Sequence, residues 1–80
     1  MTLNKAVIKR VEEILKQKLM SYYRLMLKSG ITHSTFQGLK SDKRTSCNLK
    51  TVMQLIYALD VTPQEFFDSP LFNEENLELD

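Results

Sequence analysis

The sequence has few of the residues that cross-link or interrupt a small protein. Among 80 residues there are one cysteine, two glycines, two prolines and no tryptophan. The single cysteine, Cys47, excludes a disulfide within the chain and is typical of a reducing compartment. So little glycine and proline excludes a linker or a low-complexity segment. No uncharged apolar run approaches the roughly 20 residues of a membrane span, so we expect a cytoplasmic protein without a membrane partner.

The same scarcity argues against an enzyme. One histidine, His33, and one cysteine are too few for a zinc site, which takes three or four ligands. The sequence has no glycine-rich phosphate loop and no paired carboxylates inside the predicted core, and a Cys–His nucleophile pair would lack an orienting group. We therefore expect no catalytic residues, no metal and no cofactor.

Charge is distributed unevenly along a chain that is long enough for one folded domain. Residues 1–50 hold all eleven Lys and Arg against three acids, a net charge of +8. Residues 51–80 hold seven acids and no Lys or Arg. A basic first part favours a polyanion partner, which the acidic last part would repel. Charge alone leaves open the alternative that these residues form an ordinary charged surface whose uneven distribution is due to chance.

Apolar spacing and capping signals predict five short helices and no sheet, which is an all-α fold. Each predicted helix follows a residue whose side-chain oxygen can accept a hydrogen bond from the first turn. These helices are residues 5–18 after Asn4, 22–28 after Ser21, 33–40 after Thr32, 49–59 after Asn48, and 63 to about 68 after Thr62. Thr62 and Glu65 form a capping box around Pro63, and Gly30 supplies a left-handed end to the second helix.

The inward faces of these helices predict the core. Phe36 and Leu39 form the buried side of the third helix. The fourth helix carries a wide apolar stripe, which we place at the centre of the core and which comprises Leu49, Val52, Leu55, Ile56 and Leu59. We expect Leu71 and Phe72 to fold back onto this core. The predicted domain is therefore 1–72, followed by an acidic, mobile tail over 73–80.

The second and third helices, with a glycine-containing turn between them, have the pattern of a helix-turn-helix. In that unit the second helix enters the major groove of B-form DNA while the first crosses the backbone. Across residues 5–68 the chain resembles the Cro and lambda-repressor type helix-turn-helix family, also called XRE-like. The residues that carry the resemblance are Leu25, Gly30-Ile31-Thr32-His33-Ser34-Thr35-Phe36, Leu39, Leu49, Ala58-Leu59, Val61-Thr62 and Glu65-Phe66. The chain departs from the family pattern at Leu19, Met26, Gly38 and Cys47.

The resemblance implies a sequence-specific regulator of double-stranded DNA, typically a homodimer and similar in size to small phage or prophage repressors. It implies a compact lambda-repressor-like fold in which base edges are contacted by Thr32, His33, Ser34 and Gln37. His33 and Gln37 lie one helical turn apart, so both can face one groove, where glutamine suits a bidentate contact to adenine. The expected phosphate contacts come from Ser21, Tyr22, Lys40, Lys43, Arg44 and Asn48. The alternative for His33 is a surface histidine that contacts nothing. The alternative for Lys43 and Arg44 is a loop whose charges are merely solvated.

Two questions stay open in the sequence. The dimer surface is expected at the end of helix 4, helix 5 and the tail, with Tyr57, Phe67, Leu71 and Phe72 as candidates, although Phe67 could equally belong to the core. The second hypothesis for function is a protein-interaction module, such as an antitoxin or accessory factor, with weak or non-specific DNA binding and a partner docked on the C-terminal part. The basic first half favours DNA, and Gly38 with the small Ser34 favours the module.

Overall fold

The computed structural model describes residues 1–41 and 47–79, which contain five α-helices. The helices are α1 (Leu3–Lys18), α2 (Tyr22–Ser29), α3 (His33–Lys40), α4 (Leu49–Ala58) and α5 (Pro63–Phe67), followed by 3-10 turns over Pro70–Phe72 and Glu74–Asn76. Within these described residues there is no β-strand, only an isolated bridge between Thr2 and Glu78. The all-α prediction is confirmed. α1 packs against α3, and α2 packs against α4.

Four of the five predicted N-caps are confirmed. The side chains of Ser21, Thr32, Asn48 and Thr62 each accept a hydrogen bond from a backbone N–H in the following turn. Glu65 completes the capping box with Thr62. Each cap satisfies an amide that the helix itself leaves unpaired, which is why these local signals locate the helix starts.

The predicted start of the first helix is wrong. Thr2 is the N-cap of α1 and accepts a backbone hydrogen bond at 3.2 Å, whereas Asn4 lies buried inside the first turn. The cause is tertiary: the Met1 amino group donates to the carbonyl of Asn76 at 2.9 Å, and the Glu78 amide donates to the Met1 carbonyl at 2.8 Å. These contacts with the far end of the chain hold residues that precede the predicted start.

The core is built by apolar side chains from all five helices. Those that are buried include Val7, Val11, Ile14, Leu25, Phe36, Leu39, Val52, Leu55, Ile56, Leu59 and Phe66. Leu49 is a further correction, because its side chain is 69% exposed. As the first residue of α4 it lies at the rim of an apolar groove, beside Leu3 and Phe67, rather than over the core.

The segment after α5 folds back onto the core, as expected. The ring centroid of Phe72 lies 5.8 Å from that of Phe66 and 4.9 Å from that of Phe67. Arg10 of α1 donates to the backbone carbonyls of Glu65 and Phe66, each at 2.7 Å, and so fastens α5 to α1. The division of the chain into 1–72 and a tail over 73–80 stays a prediction.

The C-terminus of α1 is a Schellman motif with leucine at the position that usually holds glycine. The Met20 amide donates to the Leu15 carbonyl at 2.9 Å, and the Leu19 amide donates to the Lys16 carbonyl at 3.3 Å. Leu19 has a φ of 54° and a side chain that is 92% exposed. A left-handed conformation costs a residue with a Cβ atom about 1–2 kcal/mol, and this exposed side chain gains little from burial.

A charged junction joins the ends of α1 and α2 to the turn after α4. The Lys28 ammonium pairs with the Asp60 carboxylate at 2.5 Å, and the Lys18 ammonium donates to the Asp60 carbonyl at 2.8 Å. The hydrogen bond from Lys28, together with its positive charge, lowers the pKa of Asp60. Asp60 has a φ of 60°, a conformation that Asp and Asn adopt more readily than other residues with a side chain.

Replacing Leu19 with glycine is expected to stabilise the protein. Leu19→Gly removes the left-handed strain and should raise the free energy of unfolding by about 1 kcal/mol in urea denaturation. Leu27 is also exposed but lies within α2. The control Leu27→Gly should therefore lower the free energy of unfolding by about 1 kcal/mol. Changes of the same sign in both variants would contradict the assignment of strain to Leu19.

The Asp60 junction predicts a pH dependence of stability. A carboxylate whose pKa is lower in the folded state stabilises the protein above its unfolded pKa, and that contribution is lost as the pH falls through the folded pKa. Asp60→Asn keeps the left-handed turn but removes the charge, so it should be less stable than the parent at pH 7 and equally stable in strong acid. Urea midpoints measured from pH 7 down to about pH 2 test this. A profile of Asp60→Asn that runs parallel to that of the parent would contradict the role of this carboxylate.

Candidate nucleic-acid interface

The turn between α2 and α3 is held by backbone and side-chain hydrogen bonds. Gly30 ends α2 with a φ of 71°, which a residue with a Cβ atom would adopt only under strain although the space beside it is open. The buried Ser29 donates its hydroxyl to the Met26 carbonyl at 3.3 Å and accepts from the Ile31 amide at 3.2 Å. Ile31 is itself buried. The turn therefore fixes how α3 leaves α2.

The first turn of α3 is organised by Thr32. Its hydroxyl oxygen accepts from the Thr35 amide at 3.2 Å, and its proton is donated to the Thr35 hydroxyl at 2.9 Å. The Ser34 hydroxyl lies 3.2 Å from the same oxygen. Thr32 is exposed, as a base contact requires, but its hydroxyl already serves the helix cap. Phe36 and Leu39 on the opposite side are buried and hold the helix against the core.

The outward face of α3 presents His33, Ser34 and Gln37, all of which are exposed. His33 and Gln37 share one side of the helix because they are separated by four residues. Within residues 1–41 and 47–79 the Gln37 side chain makes no hydrogen bond. Its amide oxygen and its amide nitrogen are therefore both available to a ligand. Gly38, next to it, is half-buried. His33 and Gln37 thus offer polar atoms that the cap does not use, whereas the Ser34 hydroxyl shares the hydrogen bonds of the Thr32 cap.

Tyr22 connects the first turn of α2 to α3. Its hydroxyl lies 3.1 Å from Nδ1 of His33, and its ring packs 5.1 Å from the ring of Phe36, centroid to centroid. The Lys40 ammonium lies over the same two rings, 5.9 Å from the centroid of Tyr22 and 5.2 Å from that of Phe36. The structure therefore brings together Tyr22, His33 and Lys40 from the predicted site. Tyr23, the neighbouring tyrosine, is exposed and outside this cluster.

The remaining predicted phosphate contacts are dispersed. Ser21 accepts from the Arg24 amide at 3.1 Å as the cap of α2, next to Tyr22. Asn48 caps α4, and none of the contacts among the described residues joins it to α3. Lys43 and Arg44 lie outside the described residues.

Two lysines that no sequence pattern singled out, Lys5 and Lys9, lie beside α3 in the fold. A cleft of about 230 Å³ between α1 and α3 is lined by Lys5, Lys9 and Lys40, together with Glu12, Ile8 and Leu39. The spacing of Lys5 and Lys9 by four residues indicates a shared face of α1. Only the packing of α1 on α3 shows that this face adjoins the end of the third helix.

The described part of the chain has neither a cluster of metal ligands nor a membrane-spanning helix. Its His, Cys, Asp and Glu side chains form no group of three that could hold a metal ion. None of its helices has both the length and the apolar character needed to cross a bilayer.

Comparison with known protein families identifies a matching family. The family model described as the Cro/C1-type HTH DNA-binding domain matches residues 10–70. That range begins in α1 and includes α2, α3, α4 and α5 in full. No curated protein and no solved structure matches the chain.

Proposed function

Because the chain belongs to the Cro/C1-type helix-turn-helix DNA-binding family, we propose that it is a sequence-specific transcriptional regulator that acts as a repressor in the cytoplasm. The observation that carries this proposal is the outward face of α3, where exposed polar side chains lie opposite the buried Phe36 and Leu39. A rigid helix with such a face can enter the major groove and contact base edges. Repression needs no second surface, since a domain bound across a promoter blocks polymerase by occupying the site.

In this proposal the base contacts come from one side of α3. Gln37 offers both an amide donor and a carbonyl acceptor, the combination that matches N7 and N6 of adenine. His33 and Ser34 contact neighbouring bases. Thr32, whose hydroxyl is used in the cap, contributes its methyl group and the position of the helix rather than a strong polar contact.

Phosphate contacts surround this face. The amides at the start of α2, next to Ser21 and Tyr22, favour an anion because the helix dipole is positive there. Lys40 adds a charge at the end of α3, and we assign Lys43, Arg44 and Asn48 to the same role. Lys5 and Lys9 extend the positive surface along α1. Such contacts position the domain without selecting the sequence.

We further propose that the protein binds as a homodimer. Tyr57 on α4 is 61% exposed and Phe67 on α5 is 40% exposed, which is much apolar surface for side chains of this size. Leu71 is half-buried, whereas Phe72 already packs on Phe66 and Phe67 and contributes less. Two copies related by a two-fold axis would contact half-sites about 10 base pairs apart.

One observation favours the second candidate function, a protein-interaction module with weak DNA binding. The apolar groove between α1, α4 and α5 is lined by Leu3, Val7, Cys47, Leu49, Val52 and Phe67. A partner segment could bury this groove instead of a second copy. Salt distinguishes the two functions, because phosphate contacts weaken steeply as salt rises whereas apolar docking responds little.

Gln37→Ala tests the assignment of base recognition to α3. On a preferred duplex recovered from a random DNA pool, the variant should lose about 1–3 kcal/mol of binding free energy while its affinity for unrelated DNA stays the same. Fluorescence anisotropy titrations with both duplexes measure the difference. The control is Gln17→Ala, an equally exposed glutamine on α1, which should change neither affinity.

A change at Lys40 should lower affinity without changing the preference for one DNA sequence over another. Lys40→Gln removes the charge and leaves a polar side chain at this exposed position, so it should weaken binding to all sequences alike. It should also reduce the slope of log affinity against log salt by about 1. Equal profiles for the Gln37 and Lys40 variants would contradict the division between base and phosphate contacts.

Tyr57→Glu tests the dimer surface. A charge at this exposed position should raise the dimer dissociation constant at least about tenfold, because it must be desolvated in the interface, and should leave the fold intact. Sedimentation equilibrium measures the constant, and circular dichroism checks the fold. Tyr23→Glu is the matched control, since Tyr23 is a similarly exposed tyrosine on α2. A parent protein that stays monomeric, or an unchanged constant in Tyr57→Glu, would contradict the assignment.

A further inference from the structure

We propose that Tyr22 determines which bases His33 can recognise, by fixing the histidine ring in the tautomer that carries its proton on Nε2. The inference rests on the proposed function, because it specifies what the first residue of α3 contributes to base recognition. It follows from a single contact, the 3.1 Å distance between the Tyr22 hydroxyl and Nδ1 of His33. Tyr22 would thus be a positioning residue that acts on DNA through His33.

The direction of this hydrogen bond follows from the chemistry of its two groups. A phenol hydroxyl is a good donor but a weak acceptor, because its lone pair is delocalised into the ring. The unprotonated nitrogen of a neutral imidazole is a strong acceptor. The favoured arrangement therefore has Tyr22 as the donor and Nδ1 of His33 as the acceptor. Because one nitrogen of neutral histidine carries the proton, the bond at Nδ1 assigns that proton to Nε2.

The surroundings of Tyr22 strengthen this arrangement and keep it in place. The ring of Tyr22 packs on Phe36 in the core, and the two rings of Tyr22 and His33 meet edge to face at 6.2 Å. The Lys40 ammonium over the Tyr22 ring draws electron density from it and makes the hydroxyl a better donor. Tyr22 and His33 are each the first residue of a capped helix, so neither end of the bond is on a mobile element.

The tautomer sets the class of base edge that His33 can contact. With Nδ1 occupied by Tyr22, the remaining ring nitrogen is an N–H donor. In the major groove, guanine offers two acceptors, O6 and N7, adenine offers N7 and thymine offers O4, whereas cytosine offers only the N4 donor. His33 should therefore prefer guanine at its position in each half-site and discriminate most strongly against cytosine. The opposite tautomer would accept a hydrogen bond and favour cytosine or the N6 group of adenine.

The tautomer can be measured in the free protein. Long-range ¹H–¹⁵N correlation spectra at neutral pH distinguish a protonated Nε2 from a protonated Nδ1. We expect His33 to show one tautomer, with the proton on Nε2 and with Nδ1 as a hydrogen-bonded acceptor. A proton on Nδ1, or a Nδ1 signal that Tyr22→Phe leaves unchanged, would overturn the inference without any reference to DNA.

The consequence for recognition is tested with Tyr22→Phe, which keeps the ring that packs on Phe36 and lies under Lys40 but removes the hydroxyl. Duplexes recovered from a random pool are varied through all four base pairs at the His33 position. The parent should prefer guanine to cytosine there by about five- to tenfold, and in Tyr22→Phe this preference should fall to about twofold or less. Any change in affinity that Tyr22→Phe causes through a lost phosphate contact should be the same for all four duplexes, so the ratio of their affinities is the readout.

Matched variants separate positioning from a merely structural effect. Tyr23→Phe, one residue along α2, should leave the base preference intact. His33→Ala should abolish it, and Tyr22→Phe should then have no further effect on base preference, because the hydroxyl affects that preference only through the histidine ring. A preference that survives in Tyr22→Phe would overturn this inference and leave the proposed function standing. Absence of any sequence preference in the parent would overturn both.

Discussion

An eight-residue helix does not persist by itself in water, so the position of α3 depends on the burial of Phe36 and Leu39. These two side chains account for one side of the helix and anchor it to α1 and the rest of the core. The Thr32 cap then closes the first turn, and the turn at Gly30 sets the direction of the chain. Every polar group that the opposite face offers to DNA takes its place from these few apolar contacts.

The uneven charge of the chain has a structural explanation in this arrangement. Basic residues of α1 lie beside α3, where Lys5 and Lys9 share a cleft with Lys40. The acids of the last part of the chain instead serve the fold. Asp60 joins the ends of α1 and α2, Glu65 closes a capping box, and Glu78 lies against the amino terminus. Asp60 and Glu78 thus pair with positive groups of the protein itself, and the lysines beside α3 are the ones that we propose for contact with a polyanion.

Local signals predicted most of the fold, and the errors share one cause. Ser21, Thr32, Asn48 and Thr62 cap helices as predicted, because a cap needs only a few neighbouring residues. The start of α1 and the exposure of Leu49 depend instead on segments that are distant in sequence, namely the chain end near Asn76 and the groove between α1 and α5. The two helices of the helix-turn-helix and the exposed residues of α3 were predictable from such local signals too. The contact between Tyr22 and His33 was not, since it exists only when α2 and α3 are packed.

The hydrogen bonds inside the helix-turn-helix also determine what remains for recognition. The hydroxyl oxygens of Thr32 and Ser21 accept hydrogen bonds from backbone amides and so hold the starts of α3 and α2. Gln37 keeps its whole amide free within the described residues. His33 is intermediate: Nδ1 lies within hydrogen-bond distance of the Tyr22 hydroxyl, and the side chain as a whole is exposed. A side chain that is half satisfied by its own protein has fewer ways to bind than a free one, and in the proposed complex that restriction would be the source of selectivity at its position.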